Sequence, residues 1–358
     1  MICEQPIPPV DWHCLPDLPD KIGVAGAFAG VSDGCLLVAG GANFLDKMPW
    51  DGGTKTWHDT VYALDKPDGF WREVGALPRP LGYGVSVTTG SGVLCVGGSD
   101  SLRHYGEAFR LSWTDGKLTT TILPPLPTAL ANHCGAFMAG TLYVVGGSEK
   151  PGELECVNRA FALDWDDKDG AWCEIQPLPG RPRFLSAAAA HNGSLFVVGG
   201  VSLDSCPDGK IRRSYLKEIW SYCPDNGWTP HAPMPKPAVA APTPAPVIDG
   251  RLLVLGGDDG SLAGFQPLAK HPGFTKSIQS YDTANNAWSQ RDELPNGRAV
   301  LPCVLWQGLI VLVSGEQRPG VRTPGILARR QVRRIECDSF SILWQNQIEV
   351  ACQASWGD

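Results

Sequence analysis

The sequence predicts an all-β chain folded as a six-bladed β-propeller, and three observations carry this prediction. Six apolar runs end in a glycine pair or its near equivalent, and the last glycines of successive runs lie 49 to 58 residues apart. The 42 glycines and 31 prolines indicate many short strands separated by turns. Hydrophobic residues make up 43% of the 358-residue chain and charged residues only 19%, which is enough apolar material for a large core. A period near ~50 residues with four strands per unit is typical of kelch repeats.

Each repeat contains four predicted strands. A strand of small residues, such as GVAGAFAGV, precedes the apolar run that ends in the glycine pair, as in CLLVAGG. A third strand alternates apolar and polar residues, as in TVYALD, and the fourth strand has a Leu-Pro or Met-Pro tail. In four repeats the fourth strand also carries a tryptophan, namely Trp71, Trp172, Trp228 or Trp288, whereas the second repeat has the tail alone. We expect the small residues at the crowded inner rim and the tryptophans between neighbouring blades.

Two segments are candidates for the strand that closes the ring, because Trp12 and Trp344 both resemble the tryptophan of a fourth strand. Trp12 lies 29 residues before Gly41, which falls within the 27 to 29 residues that separate the other tryptophans from the next glycine pair. It also has a Leu-Pro tail, which Trp344 lacks. We therefore expect the N-terminal segment to supply the outer strand of the last blade. Residues 1–358 would form a single domain, with an extra edge strand or docked tail over about 338–358.

Charge and cysteine content argue against several classes of function. A net charge of -7 argues against a nucleic-acid partner. No apolar run approaches the ~18 residues of a membrane span, and the N-terminus lacks the basic and apolar regions of a signal peptide, so we expect a cytoplasmic protein with no membrane partner. The twelve cysteines include no CxxC pair. Four of them lie in apolar strand patterns, which indicates buried thiols rather than metal ligands or disulfides: Cys35, Cys95, Cys134 and Cys303.

Topology predicts where a binding site would lie. In an up-and-down blade, the loops after the second strand and before the first strand emerge on one face, around the mouth of the central channel. The loops on this face supply five polar residues, Asn43, Arg79, His133, Arg183 and Arg298. The three arginines occupy matching positions, and a ring of guanidinium groups would suit a ligand with a carboxylate. Any one of the three could equally be an ordinary solvated loop residue.

The segment SGEQRPGVRT of the sixth repeat is the sharpest local feature. Its Pro319-Gly320 pair favours a type II turn, which requires a positive φ at the glycine. Such a turn would bring Glu316 and Arg322 together at the channel mouth, with Arg318 as a second cation. The alternative is a surface turn with an ordinary ion pair worth ~0–1 kcal/mol.

The segment GEQRPGVRT, together with VAGAFAG and LLVAGGANF near the N-terminus, resembles the N-acetylneuraminate epimerase (sialic acid mutarotase) family. The glycine pairs are common to kelch proteins, whereas the Glu316–Arg322 loop is much more specific. The resemblance is to a cyclically permuted branch, because the loop lies mid-chain in the bacterial enzyme and near the end here. It implies that Glu316 and Arg322 are the catalytic pair. Loop topology adds the expected substrate-binding residues, which are Asn43, His133, Arg183, Arg298 and Arg318.

The resemblance implies an isomerase that interconverts the α and β anomers of N-acetylneuraminate, or a close sialic acid, by ring opening and closure. Its partner would be a small-molecule sugar acid, with no metal and no organic cofactor, and the periplasmic location of the bacterial type becomes a second possibility. One alternative is a non-catalytic kelch interaction module, which would expose aromatic residues on its loops. A sialidase would need Asp-box turns, and a copper-radical oxidase would need clustered Tyr, His and Cys ligands. The sequence shows neither pattern.

Overall fold

The computed structural model describes residues 12–331, apart from 153–154, 166–169 and 208. In this part of the chain, strands form six four-stranded antiparallel sheets arranged as the blades of a propeller, which confirms the predicted fold. Its only helices are two short 3₁₀ turns, Pro49–Asp51 and Leu268–Lys270, and no helix there is long and apolar enough to cross a membrane. Trp344 and the segment 338–358 lie outside the described residues.

The blades are numbered I to VI along the chain, and each runs from an inner strand at the channel to an outer strand. From inner to outer, the strands of blade I are β2 (Phe28–Ser32), β3 (Cys35–Ala39), β6 (Thr60–Leu64) and β7 (Arg72–Ala76), and those of blade II are β8 (Val85–Thr89), β9 (Gly92–Ser99), β10 (His104–Thr114) and β11 (Lys117–Leu123). Those of blade III are β12 (Cys134–Met138), β13 (Thr141–Val145), β14 (Ala160–Asp164) and β15 (Cys173–Ile175), and those of blade IV are β16 (Ala187–His191), β17 (Ser194–Val198), β20 (Ile219–Cys223) and β21 (Gly227–Pro230). Those of blade V are β22 (Val247–Ile248), β23 (Arg251–Leu255), β24 (Ser277–Asp282) and β25 (Ala287–Glu293), and those of blade VI are β26 (Cys303–Trp306), β27 (Leu309–Val313), β30 (Ile326–Arg330) and β1 (His13–Leu15).

Among the described residues, three blades carry a further hairpin in the loop between their second and third strands, on the face of the channel mouth. These hairpins are β4 (Ala42–Phe44) with β5 (Lys55–Trp57) in blade I, β18 (Val201–Ser205) with β19 (Ile211–Tyr215) in blade IV, and β28 (Glu316–Arg318) with β29 (Val321–Arg322) in blade VI.

The N-terminal strand closes the ring, as the spacing of Trp12 predicted. Strand β1 pairs antiparallel with β30, with His13 opposite Ala328 and Leu15 opposite Ile326. Leu15 is only 5% exposed and packs in the core shared by blades VI and I. Both ends of the described chain therefore meet in blade VI.

Tryptophans of the outer strands link neighbouring blades, as predicted. Each donates its indole N–H to a backbone carbonyl in the tail of the preceding blade at 2.7–2.8 Å, in the pairs Trp71–Pro16, Trp172–Pro124, Trp228–Gln176 and Trp288–Ala232. The predicted burial of Cys35, Cys95, Cys134 and Cys303 is also confirmed. Small residues of the inner strands line the channel, among them Ala29, Ser86, Ala136 and Ala190.

The glycine pairs are required by backbone geometry. Both residues of every pair have a positive φ between 57° and 114°, a conformation that costs most other residues roughly 1–2 kcal/mol. In blade VI the first position is Ser314, with φ of 57°, instead of glycine. The strand thus ends in a sharp turn that sends the chain onto the mouth face.

A closed ring of backbone hydrogen bonds surrounds the channel near this mouth. One residue per blade contributes its N–H to the carbonyl of the corresponding residue in the preceding blade at 2.7–2.9 Å, and each has a φ between 54° and 66°: Gly26, Tyr83, Asn132, Leu185, Ala240 and Val300. The ring fixes the six blades at a common height. It lines a cavity of about 60 Å³ at the mouth, while a larger cavity of about 350 Å³ occupies the channel on the other side.

Candidate active site

The blade VI hairpin brings Glu316 and Arg322 together, as the Pro319-Gly320 turn predicted. The two residues lie opposite each other in the β28–β29 pairing, and Arg322 Nη2 is 2.9 Å from Glu316 Oε1. Gly320 has a φ of 82°, the positive value that the turn requires. The side chains are 2% (Arg322) and 13% (Glu316) exposed, so this is a buried ion pair rather than a surface one.

Glu316 is held by two donors and keeps capacity for a third. Its Oε1 accepts from Arg322, and its Oε2 accepts from the Gly320 N–H at 3.3 Å. The backbone of Glu316 exchanges two hydrogen bonds of 2.8 and 2.9 Å with Ala299, beside the channel ring. Because an ionised carboxylate has about four lone-pair positions, Glu316 can still accept a proton, or a hydrogen bond donated by a ligand hydroxyl group.

Arg322 has an unused donor group. Its Nε–H donates to the Ala42 carbonyl at 3.3 Å, and its guanidinium carbon lies 4.6 Å from the centre of the Phe44 ring. Its Nη1 is buried and has no hydrogen-bond partner among the described residues. A buried unpaired donor costs about 1–3 kcal/mol, more if charged, and a ligand oxygen that accepts from Nη1 would remove this cost.

Loops from both neighbouring blades hold the hairpin. On the blade V side, Arg318 Nη1 donates to the Ala269 carbonyl at 2.8 Å, and the Phe274 N–H donates to the Gln317 carbonyl at 3.0 Å. On the blade I side, Gly320 lies so close to Pro49 that an added Cβ would be 2.6 Å from its Cγ. The position of the Glu316–Arg322 pair therefore depends on three blades.

Two of the predicted arginines support the backbone of this face. Arg183 Nη1 donates to the Gly199 carbonyl at 3.3 Å, and Arg298 Nη1 donates to the Ser314 carbonyl at 2.6 Å, so each holds the first residue of the glycine pair in its blade. Arg183 also forms an ion pair with Glu218. Arg298 is 2% exposed, and burial lowers its pKa to about 10. Their role as substrate-binding residues stays a prediction.

Arg79 differs from these two. Its guanidinium pairs with Glu107 at 2.7 Å and stacks on Tyr105, and its side chain is 35% exposed. Matching loop positions therefore do not produce one uniform ring of guanidinium groups.

Asn43 supports the blade I hairpin from behind. It is fully buried, its amide nitrogen donates to the Gly23 carbonyl at 3.0 Å and to the Asp20 carboxylate, and its carbonyl accepts from His58 Nε2 at 2.8 Å. These contacts fix β4, the strand that Arg322 touches. Direct contact of Asn43 with a substrate stays a prediction.

His133 lies at the mouth cavity with an unused nitrogen. Its Nε2 is 3.1 Å from the Val96 carbonyl, which can only accept, so Nε2 carries the proton and Nδ1 has a bare lone pair. Nδ1 is buried and has no partner in the part of the chain that the structure describes, and burial lowers the pKa of His133 to about 4. A neutral imidazole that accepts a hydrogen bond is thus available beside the cavity.

The structure adds three residues that the sequence interpretation missed, Lys55, Trp57 and Tyr83. The Trp57 and Tyr83 rings meet edge to face with centroids 6.2 Å apart, and the Lys55 ammonium lies 4.7 Å from the Tyr83 centroid. Trp57 Nε1 and Tyr83 Oη are both buried, and neither has a hydrogen-bond partner within the described ranges. The sequence signal is the segment KTW at residues 55–57, which lies in the mouth-face loop that follows Asn43.

The fold and this site define a kelch-type six-bladed β-propeller with a buried carboxylate–guanidinium pair at one channel mouth. Residues 8–120 match the profile of the family described as N-acetylneuraminate epimerase, and the resemblance of the sequence to that family is thereby confirmed. That match covers the N-terminal strand, blade I, and blade II as far as residue 120 in β11, whereas Glu316 and Arg322 lie outside it.

Curated relatives carry the same name. The chain is 40% identical over 125 residues to the N-acetylneuraminate epimerase of Yersinia pestis (strain Pestoides F), which is 30% of this chain and 31% of that protein. It is 39% identical over 125 residues to that of Haemophilus influenzae (strain PittEE), which is 31% and 33% of the two chains. It is 42% identical over 122 residues to that of Brucella suis (strain ATCC 23445 / NCTC 10510), with 30% and 31% covered. The chain thus spans about a third of the length of the curated relatives it matches.

A solved structure shares the fold. The structure titled "Structure of YjhT" has a TM-score of 0.64, covers 87% of this chain and 96% of its own, and is 15% identical. At that identity the likeness concerns the fold.

Proposed function

We propose that this protein is a mutarotase that interconverts the α and β anomers of N-acetylneuraminate or a closely related sialic acid. The observation that carries the proposal is the Glu316–Arg322 pair, in which a carboxylate with spare lone pairs lies 2.9 Å from a guanidinium with an unused donor. The names of the curated relatives supply the substrate class. The alternative of a non-catalytic interaction module is not favoured, because the matching family and relatives are named as epimerases.

Glu316 would move the proton. Its carboxylate accepts the proton of the anomeric hydroxyl, the bond between the anomeric carbon and the ring oxygen breaks, and the same proton passes to the ring oxygen. Reversal of these steps on the other face of the keto group gives the other anomer. General acid–base catalysis of this kind contributes typically ~10²–10⁴-fold, which suits a reaction that already proceeds slowly unaided.

Arg322 would hold the substrate carboxylate. A guanidinium stays charged and cannot act as an acid, but it binds a carboxylate through its planar donors. Since Nε and Nη2 already bind Ala42 and Glu316, Nη1 is the group left for the ligand. One side chain thus places the substrate carboxylate next to the base, and neither step requires a metal or an organic cofactor.

We assign the protein to the cytoplasm as part of this proposal. All nine cysteines among the described residues are free thiols, which is typical of proteins from reducing compartments. Fractionation of the native cell with markers for each compartment tests the assignment.

The test of the function is proton NMR of freshly dissolved sialic acid anomers. Wild-type protein at micromolar concentration should shorten the approach to anomeric equilibrium in proportion to its concentration. An unchanged relaxation rate would contradict the proposed activity.

A further inference from the structure

The blade I hairpin presents one face to Arg322. Side chains alternate between the two faces of a hairpin, so Ala42, Phe44, Lys55 and Trp57 share one face, whereas Asn43 and Thr56 share the other. Asn43 is bound to the interior, and Arg322 stacks on Phe44. The face with Lys55 and Trp57 is therefore the one that continues from the candidate catalytic pair.

Tyr83 extends this face to the channel mouth. It belongs to the ring of backbone hydrogen bonds, lines the mouth cavity and contacts the Trp57 ring. The Lys55 ammonium lies 5.3 Å from the Trp57 centroid and 4.7 Å from the Tyr83 centroid, so it bridges the two rings. Lys55, Trp57 and Tyr83 form one cluster, which we call the aromatic cluster.

The aromatic cluster contains two donors without acceptors. Trp57 Nε1 can only donate, and like Tyr83 Oη it is buried without a partner among the residues that the structure describes. Each unpaired buried donor destabilises the protein, and a hydrogen bond to a ligand oxygen would remove this free-energy cost. The cluster thus combines apolar ring surface with an unmet demand for a hydrogen-bond acceptor.

We propose that the aromatic cluster is the subsite that binds the N-acyl group of the substrate. The carbonyl oxygen of an amide has two lone pairs and can accept from both Trp57 and Tyr83, while the acyl methyl packs on the rings and Lys55 favours the oxygen electrostatically. Arg322 Nε donates to the Ala42 carbonyl, and Ala42 lies opposite Trp57 in the hairpin, where paired strands are about 5 Å apart, so the aromatic cluster adjoins the carboxylate site at Arg322. The inference rests on the proposed function and adds the group that determines specificity.

The experiment compares N-acetylneuraminate with its analogue that has a hydroxyl group at carbon 5. Dissociation constants are measured by calorimetry for wild type, Trp57→Phe and Tyr83→Phe. Tyr83→Phe keeps the ring and removes the hydroxyl, and Trp57→Phe keeps a smaller aromatic ring and removes the indole N–H, so affinity for the N-acetyl compound should fall about 5- to 10-fold and affinity for the hydroxyl analogue less than 2-fold. The matched control is Trp220→Phe, which removes an equally unpaired indole N–H from β20 of blade IV and should change neither affinity.

Two results would overturn the subsite. Equal losses for both sugar acids would show that the cluster does not contact the N-acyl group. If the substitutions no longer reduce affinity once the glycerol-like side chain of the substrate is shortened, the aromatic cluster binds that side chain instead of the N-acyl group. Tyr83→Phe provides the answer if Trp57→Phe does not fold. Wild-type protein that accelerates mutarotation while both variants fail to discriminate would contradict the subsite alone, whereas inactive wild type would contradict the proposed function.

Discussion

The hydroxyl of Ser314 lies 2.7 Å from the carbonyl oxygen of Thr323 and closes the base of the loop that carries Glu316 and Arg322. The same hydroxyl oxygen accepts the Val24 N–H from blade I at 2.8 Å. Ser314 stands where the other five blades have glycine, and it adopts the same positive φ. The Ser314 hydroxyl therefore connects the two ends of the candidate catalytic loop to each other and to the next blade.

Replacement of Ser314 by glycine should reduce turnover while leaving the fold intact. Glycine accepts the φ of 57° without strain, which offsets most of the ~1 kcal/mol lost with the hydrogen bonds. We expect kcat for mutarotation to fall about 10-fold, or ~1.4 kcal/mol in barrier, with a smaller change in KM, since the loop loses its register. Rates from NMR and denaturant unfolding of the variant check this. Unchanged kcat with reduced stability would show a merely structural hydroxyl.

Replacement of Glu316 by glutamine should abolish the acceleration and retain binding. The amide keeps the shape and can accept from Arg322 through its oxygen, but it cannot take the proton. We expect the rate enhancement to fall by roughly 10²–10⁴. NMR gives the rate and calorimetry the dissociation constant. Full activity in this variant would be consistent with the proposed mutarotase activity but would contradict the role of Glu316 as the proton carrier.

Replacement of Arg322 by lysine should weaken substrate binding. An ammonium cannot bind Ala42, Glu316 and a ligand with the fixed fork of a guanidinium. Loss of a charged hydrogen bond costs roughly 1.5–3 kcal/mol, so the dissociation constant should rise about 10- to 150-fold. The matched control is Arg251→Lys, which alters an ion pair with Asp282 at the opposite end of blade V. If Arg322→Lys and Arg251→Lys bind the substrate with equal affinity, Arg322 does not bind the substrate carboxylate.

Sequence periodicity was sufficient for the fold because each blade repeats the same physical requirements. The glycine pair needs two positive φ values and follows the outer-strand tryptophan at a nearly constant distance, so the distance from Trp12 to Gly41 identified the closing strand. Among the described residues the Trp12 indole N–H has no acceptor, unlike that of Trp71, so the spacing and not this hydrogen bond carried the prediction. The Glu316–Arg322 contact was also predictable, because Pro319-Gly320 specifies the turn between them.

The roles of the other mouth-face residues could not be predicted in the same way. The sequence does not distinguish a loop arginine that binds a ligand from one that binds a backbone carbonyl. Arg183 and Arg298 bind the carbonyls of Gly199 and Ser314, respectively. The ring of backbone hydrogen bonds around the channel could not be predicted either. One of its members, Val300, has a φ of 58°, a conformation that β-branched residues disfavour. In both cases tertiary contacts between blades decide what the local sequence leaves open.

Acidification should destabilise the protein through His133. Its pKa is 6.5 in the unfolded chain and about 4 in the fold, so between these values the unfolded state binds more protons. Stability is therefore lost as the pH falls from about 7 to 4, by about 3 kcal/mol at most from this residue. His104, whose pKa burial also lowers, adds in the same direction. Urea unfolding at pH 7 and pH 4.5 should show a smaller loss for His133→Gln, whose amide can still donate to Val96. The same loss in both proteins would contradict a buried neutral His133.

Truncation of Leu15 tests the closure of the ring. Leu15 is 5% exposed on the three-residue strand β1, where it packs between blades VI and I. Leu15→Ala removes buried methyl groups and leaves a cavity, which costs about 2–5 kcal/mol, so the denaturation midpoint should fall markedly. Ile122→Ala is the matched control, because Ile122 lies on the outer strand of blade II but is 71% exposed, and its loss should stay within about 0.5 kcal/mol. If the two variants unfold at the same denaturant concentration, β1 does not hold the ring closed.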